Sequence, residues 1–308
     1  MKEFELNPAV SKPSIAFLGI GLMGKPMASR LLQAGYAVAV WNRSRHKAEV
    51  LAVEGALIFD RAEQAVTDAD IIITMLEAGP IVAQVVEAAL PSLKKGSLLI
   101  DMSSTRQSEA QQLHVKLATH AVRFIDAPVS GGVVGAEAGT LAIMAGGAAT
   151  DFSEAEAVLA VMGRPTLVGP AGCGQIAKLC NQLIVGGTLN IVAEALLLAQ
   201  AGGADPAAVR AAIRGGFAES RILEVHGQRM LERNFMPGGQ VKSQFKDLEN
   251  VLIAAADAGL QLPLTAQVTE HYQSLMQIAP QADQSAVLLA LEQVNSGLRL
   301  GAAKDQLP

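Results

Sequence analysis

Between residues 169 and 181 the chain reads Gly169-x-x-Gly172-x-Gly174-x-x-x-Lys178-x-x-Asn181, placing one lysine and one asparagine on a run that is otherwise almost entirely apolar. Residues three apart project from the same side of a helix, so Lys178 and Asn181 pair a cation with an amide. Ordering a lysine beside apolar neighbours costs free energy. The gain is chemical: desolvation lowers an amine's pKa toward working pH, where it can give and take protons. Gln175, Asn181 and Gln182 are expected to gather on the lysine's side of that helix.

Two further segments carry donors. Asp126-Ala127-Pro128-Val129-Ser130-Gly131-Gly132 offers a hydroxyl and unobstructed backbone amides, a set that suits a carboxylate or another small anion. The same residues also fit a flexible turn. Gly19-Ile20-Gly21-Leu22-Met23-Gly24 follows a candidate strand and opens a helix expected from about Leu22 to Ala34, the context in which Gly-x-Gly-x-x-Gly binds a dinucleotide. Gly19 then allows the tight turn, Gly21 admits the pyrophosphate to the backbone and Gly24 lets the helix pack on the sheet. Amides of the helix start, Leu22 and Met23 included, face the phosphates.

At the end of the second strand stands Trp41-Asn42-Arg43-Ser44-Arg45, without the acidic residue that would pair with the ribose of NAD. Asn42 and Ser44 offer hydrogen bonds, and Arg43 or Arg45 can clamp a 2′-phosphate. NADP is therefore expected over NAD, the alternative being an ordinary solvated arginine pair. Met75 and Leu76, with Ser103, Ser104 and Thr105, follow two later strands and are expected to touch cofactor. The last three could also cap a helix, with Glu109 slightly far for a capping box.

These side chains need elements to hold them. Residues 15–18, 37–41, 71–75, 98–101 and 124–126 are strand candidates, each separated from the next by room for a helix. That alternation predicts an α/β fold: a Rossmann-type, doubly wound parallel sheet. The second half predicts helices over 175–201, 206–214, 220–233, 241–258, 263–277 and 286–294, hence a separate all-α domain reached through a long central helix. The expected division is a loose N-terminal extension over 1–13, a dinucleotide-binding domain over 14–173 and a helical domain over 174–308.

Composition agrees. A chain of 308 residues exceeds what one core usually serves. A net charge of −5 presents no basic face for nucleic acid. Cys173 and Cys180 show no metal-ligand spacing and read as plain buried thiols, and no metal is expected. The first residues lack an apolar export core, which predicts a cytoplasmic protein. Residues 183–201 are apolar enough to imitate a membrane span, but Asn190, Glu194 and Gln200 interrupt them, so a core or interface helix is expected and no membrane. The apolar helical half further suggests a homo-oligomer, dimer or tetramer. Phe217, Phe235 and Met236 are candidates for a substrate wall or for simple core.

Four motifs, taken in order, resemble the β-hydroxyacid dehydrogenases, the family of 3-hydroxyisobutyrate dehydrogenase, tartronate semialdehyde reductase and the glyoxylate and succinic semialdehyde reductases. They are Phe17-Leu18-Gly19-Ile20-Gly21-Leu22-Met23-Gly24-Lys25-Pro26-Met27-Ala28, Asp126 to Gly132, Gly169 to Asn181, and Phe245-Lys246-Asp247-Leu248. The resemblance runs from about Ser14 to the C-terminal end. It implies a catalytic Lys178, substrate contacts from Ser130, Gly131, Gly132 and Asn181, and cofactor contacts from Thr105 and Lys246. Lys246 also reads as one member of an exposed helical ion pair, with Asp247 orienting it. Imine reductases resemble the family with the lysine replaced, and 6-phosphogluconate dehydrogenases carry a longer helical domain. A dinucleotide-binding scaffold without turnover is the alternative from another class.

Overall fold

The computed structural model describes residues 12–308; all but the last two residues of the expected extension over 1–13 lie outside them. The chain forms two compact units, one ending at Gln175 and the other spanning Ile176–Pro308.

The first unit runs β1 (Ile15–Leu18), α1 (Gly24–Gln33), β2 (Val38–Trp41), α2 (Arg45–Glu49), β3 (Leu57–Phe59), α3 (Ala62–Val66), β4 (Ile71–Thr74), α4 (Gly79–Ala89), β5 (Leu98–Asp101), α5 (Gln107–Ala118) and β6 (Arg123–Asp126). It continues through β7 (Val129–Ser130), α6 (Gly132–Ala138), β8 (Leu141–Gly147), α7 (Ala149–Ala160) and β9 (Gly163–Gly169). The strands make one sheet in the order β3-β2-β1-β4-β5-β6-β8-β7, with β9 beside β8. β1, β4 and β5 are buried along their whole length, the mark of strands covered on both faces. Their side chains alternate: Ile15 and Phe17 pack with Met27 and Leu31 of α1, while Ala16 and Leu18 pack with Val66, Val82 and Leu113 across the sheet. Order reverses at β1 and β4, so the strand ends there open a crevice for a ligand.

The sheet departs from the wholly parallel expectation at one edge. β1 to β6 are parallel, but β8 runs antiparallel to β6 and β7 and parallel to β9. These added strands were hidden by their residues: Gly146, Gly147, Gly163 and Pro165 weaken any strand pattern, and β9 alternates half-buried with exposed positions.

The chain enters the second unit through α8 (Cys173–Ala201), a continuous helix of 29 residues. α9 (Pro206–Ile213), α10 (Arg221–Glu232), α11 (Val241–Asp257), α12 (Pro263–Leu275) and α13 (Val287–Val294) follow. Asp205 and Ser220 cap α9 and α10 with their side chains. Leu189, Val192, Ala193, Leu196 and Leu197 put one stripe of α8 into the core with Leu223, Met230, Leu248, Val268 and Tyr272. The opposite stripe, Ile184, Ile191 and Leu198, stays exposed. α8 is long and apolar enough to cross a membrane, and 39% of its most apolar stretch is buried in protein.

Candidate active site

The glycine turn after β1 is built by close contact. Gly19 has φ +110°, and a Cβ there would strike the Met75 carbonyl; a Cβ at Gly24 would strike the Gly19 carbonyl. Gly21 differs, because nothing lies within 4 Å of the Cβ it lacks. The protein itself does not demand that glycine, so the space suits a group approaching the backbone, as a pyrophosphate would. Leu22 is exposed, Met23 packs against the core, and no side chain caps α1; the Lys25 amide turns back to the Gly21 carbonyl at 3.0 Å and Pro26 has none, so a phosphate would meet the amides just before them, at Leu22 to Gly24. A nicotinamide dinucleotide thus fits these residues.

A cavity of about 540 Å³ opens from this turn, lined by Gly19, Gly21, Asn42, Arg43, Ser44, Met75 and Leu76. It brings those sequence-derived candidates together and adds Lys47, which lies on the same cavity four residues after Arg43. Asn42 accepts from the Ile20 amide at 2.9 Å and donates to the Ser44 carbonyl at 3.0 Å, so its side chain also braces the turn from the cavity wall. One expectation changes. Arg45 is held by Glu49 at 2.9 Å and by Asp60, which takes it out of the phosphate clamp; Arg43 lines the cavity, as does Arg61, whose guanidinium is paired with Glu63 at 3.0 Å.

Behind Met75 and Leu76 lies a buried polar knot. Thr74 donates to Asp101 at 2.8 Å, the Ser103 amide donates to the same oxygen at 3.0 Å, and the Leu76 amide donates to Ser103 Oγ at 2.9 Å. Burial pushes the Asp101 carboxyl up to about 6, against the hydrogen bonds from Ser103 and Thr74. Residues 103–105 therefore do not cap α5. Arg106 occupies the cap position, and its amide donates to Glu109 at 2.8 Å. Thr105 Oγ1 is buried with no hydrogen-bond partner, a state that asks for a ligand or water. Ser130, expected in a turn or anion cradle, ends β7, and Gly131 and Gly132 lead from it into α6.

In the second unit Lys178 is 8% exposed. Its Nζ donates to Gln182 Oε1 at 3.0 Å, and Asn181 donates to the same oxygen at 2.8 Å. Gln182 Nε2 in turn donates to Asp247 Oδ2 at 2.7 Å and to Gln244 Oε1 at 3.2 Å. An ammonium only donates, so it fixes which end of the Gln182 amide faces it. Lys246 stands 3.3 Å from Asp247 Oδ1, the ion pair that its neighbours imply. Burial lowers the Lys178 pKa from its ordinary 10.5; Asp247 opposes that shift and Lys246 adds to it.

Of the three side chains expected beside the lysine, Asn181 and Gln182 gather there, and Gln244, which carried no expectation, completes the network; the signal for Gln182 was its place four residues after Lys178. Gln175 is wholly buried against residues 103 and 105 instead of joining the lysine. Cys180 is exposed and Cys173 half-buried, so neither is a plain buried thiol. Phe235 is core, whereas Phe217 and Met236 are exposed.

Comparison with known proteins places this arrangement. A family model described as the NAD binding domain of 6-phosphogluconate dehydrogenase matches residues 14–186, and one described as NAD-binding of NADP-dependent 3-hydroxyisobutyrate dehydrogenase matches 172–291. The chain is 39% identical over 283 residues to 2-hydroxy-3-oxopropionate reductase of Escherichia coli (strain K12), covering 90% of this chain and 97% of that one. It is 32% identical over 286 residues to 2-(hydroxymethyl)glutarate dehydrogenase of Eubacterium barkeri, covering 91% and 95%. The solved structure of Mycobacterium tuberculosis 3-hydroxyisobutyrate dehydrogenase with L-serine superposes with a TM-score of 0.84 at 31% identity, over 91% of this chain and 99% of that one. With family models spanning most of its length and relatives above 30% identity along nearly all of it, the chain belongs to the β-hydroxyacid dehydrogenase family.

Proposed function

We propose that the protein is an NADP-preferring oxidoreductase that interconverts a small β-hydroxy acid and its semialdehyde, with Lys178 as general acid and base. The observation that carries this is the buried Lys178, its pKa lowered by desolvation, held by Gln182 in a matched family helix. When bound, the dinucleotide supplies or receives the hydride. In the reducing direction the Lys178 ammonium hydrogen-bonds the carbonyl oxygen and passes it a proton as charge develops there. In the oxidising direction the neutral Nζ accepts the alcohol proton. Gln182 Oε1 holds Nζ in place, and Asp247 behind it steadies the charged form.

Ser130, Gly131 and Gly132 hold the substrate carboxylate, Asn181 its hydroxyl, and Thr105 and Lys246 the cofactor. Arg43, with Ser44 and Lys47, takes the 2′-phosphate. Tartronate semialdehyde (2-hydroxy-3-oxopropionate) is the favoured substrate, since the relative at 39% identity bears its name. Parallel spectroscopic assays of NADPH and NADH consumption with tartronate semialdehyde, glyoxylate, succinic semialdehyde and methylmalonate semialdehyde test the reading. Turnover is expected with at least one of them and with NADPH ahead of NADH. Cofactor binding without turnover on any would favour a silent scaffold. Arg43→Ala is expected to weaken NADPH about tenfold or more and NADH far less, the scale of a lost charge-assisted bond; equal losses would overturn the NADP assignment.

The same reading includes a homo-oligomer. Ile184, Ile191 and Leu198 recur every seven residues along α8 at 61%, 55% and 74% exposure, an apolar stripe suited to a second subunit. Light scattering is expected to give a multiple of the 32.0 kDa chain mass for the wild type and a smaller one for Ile191→Glu. A monomeric wild type would contradict it.

A further inference from the structure

Gln175 stands in the first turn of α8, three residues before Lys178, with no exposed surface. Both ends of its side chain are used, and neither is used by its own helix. Oε1 accepts from the Thr105 amide at 3.0 Å, and Nε2 donates to the Ser103 carbonyl at 2.9 Å. A backbone amide only donates and a carbonyl only accepts, so this geometry fixes the side-chain amide in one orientation.

The helix start is fastened a second time. The Gln175 amide donates to Asp126 Oδ2 at 2.8 Å and the Gly172 amide to Asp126 Oδ1 at 2.6 Å, so a buried carboxylate at the end of β6 satisfies amides that a helix start otherwise leaves open. Gly174 is pressed so near the Met144 and Asp126 carbonyls that a Cβ there would strike both. The first turn of α8 therefore has little freedom to shift. The segment that Gln175 grips is tied in turn to its neighbour, because Ser103 Oγ receives the Leu76 amide and the Ser103 amide rests on Asp101.

We propose that Gln175 is a positioning residue that couples the cofactor-contacting segment 103–105 to the helix carrying Lys178. This rests on the reading above, in which Thr105 touches the dinucleotide and Lys178 moves the proton. A glutamine that only filled and satisfied a core would not need to bind, with both ends, the backbone of a segment some seventy residues distant in sequence. Hydride transfer tolerates little misplacement: an error of about 1 Å costs on the order of 100-fold in rate.

Gln175→Leu and Gln175→Asn test the coupling. Leucine approximates the bulk and leaves the Thr105 amide and the Ser103 carbonyl unpaired, whereas asparagine is too short to reach both. Circular dichroism establishes that each variant folds, and if the leucine variant does not, the asparagine variant carries the same comparison. NADPH affinity is titrated by its fluorescence without any substrate. kcat, KM and the primary isotope effect with C4-deuterated NADPH are then measured on tartronate semialdehyde.

The expected result for Gln175→Leu is NADPH binding weakened about tenfold, kcat lowered about 100-fold and a larger isotope effect on kcat, as misplaced hydride transfer becomes the slow step. Gln175→Asn should shift all three in the same sense by less. Wild-type NADPH affinity and isotope effect beside a lowered melting temperature would reduce Gln175 to a structural role and overturn the proposal. A wild-type protein silent on every semialdehyde would overturn the functional reading instead, with the substrate-free NADPH titration still deciding the case of Gln175.

Discussion

Alanine in place of Lys178 is expected to lower turnover by about 10²- to 10⁴-fold, the range of general acid catalysis, while NADPH affinity stays near wild type. The lysine is 8% exposed, and the hydrogen bond that positions it comes from a neutral amide, Gln182. The charge of Asp247, which accepts from that same amide, raises the lysine's pKa but does not offset burial, and the pKa remains lowered.

The consequence for stability has a definite sign. The unfolded chain holds the lysine proton up to its ordinary 10.5, and the folded protein releases it earlier. Between those two values the unfolded state binds more protons, so stability rises with pH there, and below the folded value the buried ammonium is a standing cost. Lys178→Ala should therefore melt no earlier than wild type at neutral pH. Loss of turnover without loss of stability separates catalysis from folding. Turnover within about threefold of wild type would remove Lys178 from the mechanism.

The largest effect on stability is expected at Arg233, whose partners are none of those that hold Lys178. Its side chain is 1% exposed; the guanidinium meets Glu292 through two hydrogen bonds of 2.7 and 2.8 Å, donates to the Leu300 carbonyl at 3.0 Å and pairs with Asp305. Burial works against its charge, yet Glu292 and Asp305 hold its pKa above the ordinary value. The residue also ends α10 in the left-handed region, at φ +51°. One side chain thus ties α10 and α13 to the C-terminal segment, whose Gln306 exchanges backbone hydrogen bonds with Arg233 and Phe235.

Arg233→Ala leaves the Glu292 carboxylate with the Leu300 amide but without its cation and takes the side-chain donor from the Leu300 carbonyl, while Asp305 keeps Arg299 at 3.1 Å. Removing one partner from a buried ion pair costs about 3–5 kcal/mol, which is a large share of a typical domain's stability. Lysine cannot restore the forked geometry and should recover only part of the loss. Urea unfolding of the helical unit checks this. A change below about 1 kcal/mol, the worth of an exposed pair, would show the knot to be incidental.

Much of this was legible in the residues. Strands β1, β4, β5 and β6 announce themselves because parallel strands buried on both faces read as unbroken apolar runs, such as Ile71-Ile72-Ile73. The helices of the second unit end within about two residues of their expected limits, where Asp205, Ser220 and Pro263 punctuate the pattern. What stayed hidden was set by partners distant in sequence. β8 and β9 exist because they pair with each other over Leu141–Ala145 and Gly163–Leu167, which glycine-rich strands do not advertise.

The same holds at the candidate site. Arg43 and Arg45 look equivalent in sequence, and they are told apart by the ion pairs of Arg45 with Glu49, one helical turn on, and with Asp60, after β3. Gln182 reads as one polar residue among several until Asp247 and Gln244, more than sixty residues on, are placed against its amide. Lys178 was visible because its isolation is local, whereas what holds it is not.

The pH dependence of both directions of the reaction tests the role of Lys178 most directly. Reduction needs the ammonium, so its kcat/KM should be level at low pH and fall as pH rises through the lysine's pKa. Oxidation needs the amine and should rise through the same value. That shared break is expected below 10.5, because burial lowers the group, and the residual activity of Lys178→Ala should lack it. Limbs that run in the same direction, or a break that survives in Lys178→Ala, would contradict the assignment of the proton to Lys178.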